Sequence, residues 1–325
     1  MGGADISNVL DNVSVVVRSV GERTEAACKR LILTQNVPPE SVFSIHEFPF
    51  SKALSVGFEI GLVEAKKWTI FVDADLLLRG GSIQKMVASG ERAPGNVCEL
   101  HGYVLDKFFG GARMGGVHLY RTSLLELARG LIPKEGENIR PESHVLRSMT
   151  DLGFPWRSVP ELVGLHDFDQ SYEDVYRKCF VQAHKHAHLF DLFLDFWRDR
   201  TASDLDYQVA LAGFSAGIAH YGEVRIDKQA DYFRRGMKVM GIEEKPPLDP
   251  GEWSAEAVEE VIRDWREPDK YWNFFPDGVL SKGNTRLRRL ALSAKLHTPR
   301  KLRKIILWRA SRHLLKLSQL IGRHA

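Results

Sequence analysis

The sequence predicts an α/β fold, with a doubly wound, mostly parallel sheet followed by a helical C-terminal extension. Three observations predict it. Short β-branched runs alternate with helix-length stretches between residues 13 and 78, the spacing of strand–helix–strand units. The apolar run Thr69–Val72 stops abruptly at Asp73-Ala74-Asp75, and ligands bind at the carboxyl ends of strands in such sheets. From about Tyr172 onward the pattern turns helical.

Each element has a local reason. Val13–Val17 is five residues of strand-forming sequence, and Glu22–Leu33 a helix that stops before Val37-Pro38-Pro39. Ser41–Ile45 is a second strand. Ser51 is placed to cap a helix to about Ala65, with Leu54, Phe58 and Leu62 on one face. The Asp-x-Asp strand follows, and Ser82 opens a short helix after Gly80-Gly81. Val97–Val104 reads as a strand, Phe108–Gly116 as a glycine-rich loop, Val117–Tyr120 as a strand and Thr122–Arg129 as a helix. Pro141 suits the first turn of a helix running to Asp151, stopped by Gly153. Trp156–Val159 and Leu162–Leu165 are two short strands leading to His166-Asp167. Later helices are expected over 172–198, 203–220, 227–240 and 254–265. The expected organisation is a nucleotide-binding catalytic domain over 1–185, a helical extension over 186–280 and a basic tail over 281–325.

Composition sets limits. The 325 residues are 44% hydrophobic and 27% charged, an ordinary globular balance. Cys28, Cys98 and Cys179 form neither a metal-type pair nor a disulfide framework, which suits a reducing, cytoplasmic setting. No signal-peptide pattern opens the chain and no apolar run reaches about 18 residues. Charge is segregated. Of the 45 Lys and Arg, thirteen lie in 281–325 with no acid, leaving 32 against all 42 Asp and Glu in the body. On a helical wheel Leu302, Ile306, Ala310, Leu314, Leu317 and Ile321 share one face, beside Arg309, Arg312 and Lys316. That is the pattern of a helix lying in a membrane interface. The tail is therefore expected to meet an anionic membrane surface from the cytoplasmic side or, alternatively, to pack on the protein's own acidic body, and no nucleic acid is expected.

Two carboxylates separated by one residue repel unless something positive sits between them, and a divalent cation with bound phosphate is the usual solution. Asp73 and Asp75 are therefore candidate donor- and metal-binding residues.

Four segments in order, 13–23, 50–78, 114–121 and 141–166, resemble the GT-A glycosyltransferases, in particular the inverting family 2 type. The motifs are the first strand with Ser19, Gly21 and Glu22, the helix with Lys52-Ala53, Gly57 or Gly61 and Ala65, then Asp73-Ala74-Asp75. Gly115-Gly116 before Val117–Arg121, Glu142 eleven residues before Gly153, and Pro160 six before His166 complete the set. The resemblance implies a nucleotide-sugar donor held by Ser19, Gly21, Glu22, Glu47, Lys52, Asp73, Gly115 and Gly116. It implies Mn²⁺ or Mg²⁺ on Asp73, Asp75 and His166, and Glu142 as the base that deprotonates a glycan or lipid-linked acceptor. Asp106 and Asp167 stand next in line as bases. Arg18 departs from the family, which commonly has proline there. The Q-x-x-R-W signature of processive synthases is absent around Arg177-Lys178-Cys179-Phe180-Val181, which favours single addition. His184, His186 and His188 do not share one helix face, so a solvated helix is expected there rather than a metal cluster.

Two other readings remain at this stage. A phosphatase of the haloacid dehalogenase class also ends a strand in Asp-x-Asp, but such enzymes usually carry Thr or Val where Leu77 stands. A catalytically inactive GT-A-like binding module is the other.

Overall fold

In a computed structural model of the protein, the structure describes residues 10–222, 224, 236 and 238–265. The tail over 281–325 and most of the helix expected over 227–240 lie outside the described residues.

Seven strands form one sheet: β1 (Val13–Arg18), β2 (Val42–Ile45), β3 (Trp68–Asp73), β4 (Leu76–Leu78), β5 (Glu99–Asp106), β6 (Gly111–Arg121) and β7 (Trp156–His166). Their order is β2-β1-β3-β6-β5-β7-β4. The pairs β1–β2, β1–β3 and β5–β7 are parallel, whereas β3–β6, β5–β6 and β4–β7 are antiparallel. Only β6 and β4 therefore run against the other strands of this mixed α/β sheet.

Side chains alternate across β1 and β3. Val16 and Phe71 enter a core with Phe58, Tyr120, Leu125, Val145 and Met149. That core lies beneath α2 (Phe50–Glu64), α4 (Leu125–Arg129) and α5 (Pro141–Asp151). The helices α1 (Glu25–Leu33) and α3 (Ser82–Arg92) pack against other strands, α1 on β4 and α3 on β5, β6 and β7. Gly90 of α3 sits so close to Trp68 and Leu119 that a Cβ there would be 2.9 Å from each.

The C-terminal part adds α6 (Tyr172–Lys185), α7 (Phe190–Arg198), α8 (Leu205–Ala219) and α9 (Ala255–Asp264). α6 and α8 touch backbone to backbone, because Gly213 and Gly217 present no side chain. A Cβ on Gly213 would lie 2.3 Å from the Tyr176 carbonyl. Trp197 on α7 anchors the bundle by donating to the Phe108 carbonyl at 2.7 Å. No helix of the described residues is long and apolar enough to cross a membrane.

Several elements differ from expectation. The glycine-rich stretch is strand, not loop: β6 begins at Gly111 and runs through Gly115 and Gly116. β7 is continuous, and Pro160 sits where its register with β5 shifts, between the pairs Ser158–His101 and Leu162–Tyr103. A bulge needs no ladder donor there, so proline is tolerated. α2 starts at Phe50 after Pro49, so Ser51 lies inside the first turn and does not cap it. The 172–198 segment breaks after Lys185. His184 and His186 are half-buried, the first against Phe180 and His220, the second against Phe109, rather than on a solvated face.

Candidate active site

Because β1, β3, β5 and β7 run the same way, their last residues meet at one edge. Arg18 pairs with Asp73 in register, and Asp106 with His166. The chain then turns at Ala74, whose N–H bonds the Arg18 carbonyl at 2.9 Å and whose carbonyl accepts from Thr24 at 2.9 Å. Asp75 thereby enters a different neighbourhood from Asp73, beside β7.

Around Asp73 the central group is Arg18. Its Nε donates to Asp73 Oδ1 at 2.8 Å and its Nη1 to Glu142 Oε1 at 3.1 Å. The guanidinium lies 5.1 Å from the Phe50 ring centre and 5.6 Å from that of Phe71, a setting that favours a delocalised cation. Glu142 follows Pro141 in the first turn of α5, where the helix dipole favours a carboxylate. Tyr120 donates to it at 3.2 Å, and His118 Nε2 lies 3.4 Å from Oε2. Burial works to raise the Glu142 carboxyl, but Arg18 and His118 outweigh it and hold the group below the usual range. Glu142 is thus ionised at neutral pH and a weakened base. Behind it, His118 Nδ1 meets fully buried Glu99 at 2.9 Å, and His101 Nδ1 meets the same carboxylate at 3.2 Å. Glu99, His101 and His118 have metal-like spacing, yet these contacts already engage the Glu99 carboxylate.

Around Asp75 the arrangement is denser. Asp167 adopts φ +63°, a left-handed conformation that aspartate tolerates, at the turn after β7. Lys178, on α6, donates to both Asp75 Oδ2 and Asp167 Oδ1. His166 Nδ1 lies 3.0 Å from Asp106 Oδ2 and 3.0 Å from Asp167 Oδ2, and its Nε2 is 3.5 Å from Asp75 Oδ1. Arg113 donates to Asp106 at 2.5 Å. Burial disfavours a charged imidazole, but Asp167 and Asp75 prevail and push His166 up to about 10. Asp106, fully buried, also accepts from the Phe108 and Phe109 amides at 2.9 Å. It has no face left for an acceptor, which removes it as a reserve base.

The other expected residues surround this edge. The single Ser19 hydroxyl proton is shared between Glu22 at 2.9 Å and Glu25 at 2.6 Å, and its oxygen accepts from the Gly21 amide at 3.0 Å. Gly21 has φ +86°, which closes the loop. Glu25 in turn holds His46 at 2.9 Å. Glu47 and Lys52, after β2, pair with each other at 2.6 Å. Gly115 and Gly116 have φ +136° and +80°, and a Cβ on Gly116 would lie 2.8 Å from Leu76.

Of the three residues expected to hold a metal, the structure brings Asp75 and His166 together and adds Asp167, their ligand atoms all within 4.8 Å. Asp73 stands apart on Arg18. The spacing is compatible with a divalent metal site. The donor atoms themselves are engaged otherwise. Lys178 holds Asp75 and Asp167, and His166 Nδ1 faces Asp106 and Asp167 at 3.0 Å each. Asp75 Oδ1 alone of this set is buried with no hydrogen-bond partner. As the side chains stand, a metal does not fit without displacing the lysine.

Lys178 and Arg113 escaped the sequence reading because neither lies in a motif. Lys178 comes eleven residues after Asp167, and only the packing of α6 returns it to the strand end. Arg18 had a visible signal, a basic residue closing a strand of four valines and one serine.

The sequence matches no protein-family model and no curated protein. Among solved structures, it is similar to A197 from STIV, with 12% identity, TM-score 0.35, and coverage of 45% of this chain and 81% of that one. It is also similar to a glycosyltransferase involved in glycosylation of the major capsid of PBCV-1, at 13% identity and TM-score 0.30, covering 45% and 80%. A third is a putative glucose-1-phosphate thymidylyltransferase from Bacillus anthracis, at 7% identity and TM-score 0.32, covering 45% and 87%. These likenesses span under half of the chain, and at such scores they bear on neither its chemistry nor its substrate.

Proposed function

We propose that the protein is a glycosyltransferase of GT-A type, which takes a sugar from a nucleoside-diphosphate donor and adds it once to an acceptor hydroxyl. The observation that supports this reading is the meeting of Asp73, Arg18 and Glu142 at one sheet edge, with a single guanidinium joining the donor-side acid to the acceptor-side acid. The nucleotide lies over the Ser19–Glu22 loop, with Glu47 and Lys52 towards the base and Asp73, 30% exposed, towards the ribose. Gly115 and Gly116 let Arg113 and Leu76 pack close against β6 beside the sugar. In the transfer, an acceptor oxygen bonds to the anomeric carbon as the bond to the diphosphate breaks. The electron pair leaves with the phosphate, and Glu142 takes the hydroxyl proton. Attack opposite the leaving group inverts the anomeric centre.

A second reading has Mn²⁺ or Mg²⁺ displace Lys178 from the carboxylates, favoured by the unpartnered Asp75 Oδ1. Asp75, His166 and Asp167 would hold it, and it would supply Lewis-acid stabilisation of the leaving diphosphate. A phosphatase mechanism would need Asp73 free to attack, whereas Arg18 holds its Oδ1. The acceptor is a glycan or a lipid-linked sugar, brought close if the basic tail rests on an anionic membrane.

The test is nucleotide release from UDP-, GDP-, dTDP- and CMP-sugars, with and without added sugar acceptors. Release from one donor, stimulated by an acceptor, is expected. Donor binding without release marks an inactive module, and neither binding nor release overturns the proposal.

A further inference from the structure

The acidic centre already contains its counter-ion. Lys178 reaches Asp75 and Asp167 from α6 with side-chain exposure of 14%, and Arg113 covers Asp106. An ion pair this buried is costly to open, because a separated charge would be left without water or partner. A divalent cation therefore meets a cluster whose carboxylates are taken.

A second set of cations has the opposite problem. Arg140, just before α5, donates to the Lys185 carbonyl at 3.0 Å and lies 3.0 Å from His186 Nε2. Lys185, in the last turn of α6, is within electrostatic reach of Arg140, Arg177 and Arg113, and of Asp73. Among the described residues neither Arg140 nor Lys185 pairs with a carboxylate. Like charges gathered in a half-buried place, with Arg140 two residues before Glu142, call for an anion. Burial, with Arg140, Arg177 and Arg113, pulls Lys185 down to about 8.

We infer that the chain supplies its own cations for the donor: Lys178 stands in place of a divalent ion between Asp75 and Asp167, while Arg140 and Lys185 receive the diphosphate. The site then binds a nucleoside diphosphate without metal. This rests on the glycosyl-transfer reading and decides between its two forms. Arginine and lysine suit the task, since guanidinium matches two phosphate oxygens and ammonium serves as a point charge.

The experiment is calorimetric titration of the full chain with UDP, GDP and dTDP, once in EDTA and once in Mn²⁺. One nucleotide should bind in EDTA, with affinity within about threefold of that in Mn²⁺. Lys185→Met should weaken that binding about tenfold or more. Lys178→Met should make binding depend on Mn²⁺, and Mn²⁺ alone should then bind, as read by its electron paramagnetic resonance signal. If that variant does not fold, the wild-type titrations decide unaided. Binding by the wild type only in Mn²⁺ overturns the inference and keeps the glycosyl-transfer reading. No binding of any nucleotide in either buffer overturns both.

Discussion

Replacing Arg18 with methionine keeps the volume of the side chain and removes the charge shared by Asp73 and Glu142. Arg18 is buried and bonded to both carboxylates, at 2.8 and 3.1 Å. Removing one partner from a buried pair costs about 3–5 kcal/mol. Two features place this case near the low end. Asp73 is 30% exposed and screened by water, and Glu142 keeps Tyr120 and His118. A loss of about 3 kcal/mol, with an m-value of about 3 kcal/mol/M, moves the urea midpoint down by about 1 M. The dependence on pH has a definite sign. In the wild type Arg18 helps hold the Glu142 carboxyl below its usual range, a stabilisation present above the unfolded carboxyl pKa and lost as pH falls through the folded one. Without Arg18 that carboxyl and Asp73 both titrate higher, so acidification relieves the variant sooner. The gap between the proteins should narrow from neutral pH to about pH 5. Urea unfolding followed by tryptophan fluorescence reads both effects. A midpoint within about 0.2 M of wild type at neutral pH, or a gap that widens on acidification, would refute the reasoning.

Glu142→Gln should keep nucleotide binding and lower turnover by about 10²–10⁴, since the amide preserves shape and removes basicity; near-normal turnover in a transfer assay would remove Glu142 as the base. Nucleotide affinity should be highest below about pH 8 and fall as pH rises through that value, because Lys185 must carry its proton to meet the diphosphate; flat affinity from neutral pH to about 9.5 in titration calorimetry removes Lys185 from the site. Gly213→Ala should destabilise the α6–α8 contact by about 1–3 kcal/mol, because its Cβ would sit 2.3 Å from the Tyr176 carbonyl; thermal unfolding measures this. Deleting 281–325 should reduce co-sedimentation with anionic vesicles, whereas equal pelleting of both chains would leave the tail no membrane role.

The central strands were legible because burial on both faces writes runs rich in β-branched and apolar residues, as in Val13–Val17 and Thr69–Val72. α5 was legible to its last residue, since Pro141 and Gly153 punctuate it. β6 was not: Gly111, Gly115 and Gly116 look like loop residues, and only pairing with β5 and β3 makes them strand. The same limit governs the site. Asp73, Asp75, Glu142 and His166 lie at strand or helix ends that sequence marks. Which of them share a neighbourhood depends on β4 crossing to pair with β7, and on α6 swinging Lys178 inward. Those are tertiary facts with no local signature.

That crossing gives Ala74 a role beyond spacing. β3 lies third in the sheet and β4 at its far edge, so a three-residue motif directly joins two parts of the sheet that are otherwise linked through β6, β5 and β7. Asp73 takes its position from β1, and Asp75 from β7. The motif works as a ruler clamped at its midpoint, with Ala74 held on both its amide and its carbonyl. Any relative slip of the two parts would register as a change in the distance between the aspartates. An insertion or deletion at Ala74 would break the motif even with both acids retained, so the interval between them matters as much as the acids themselves.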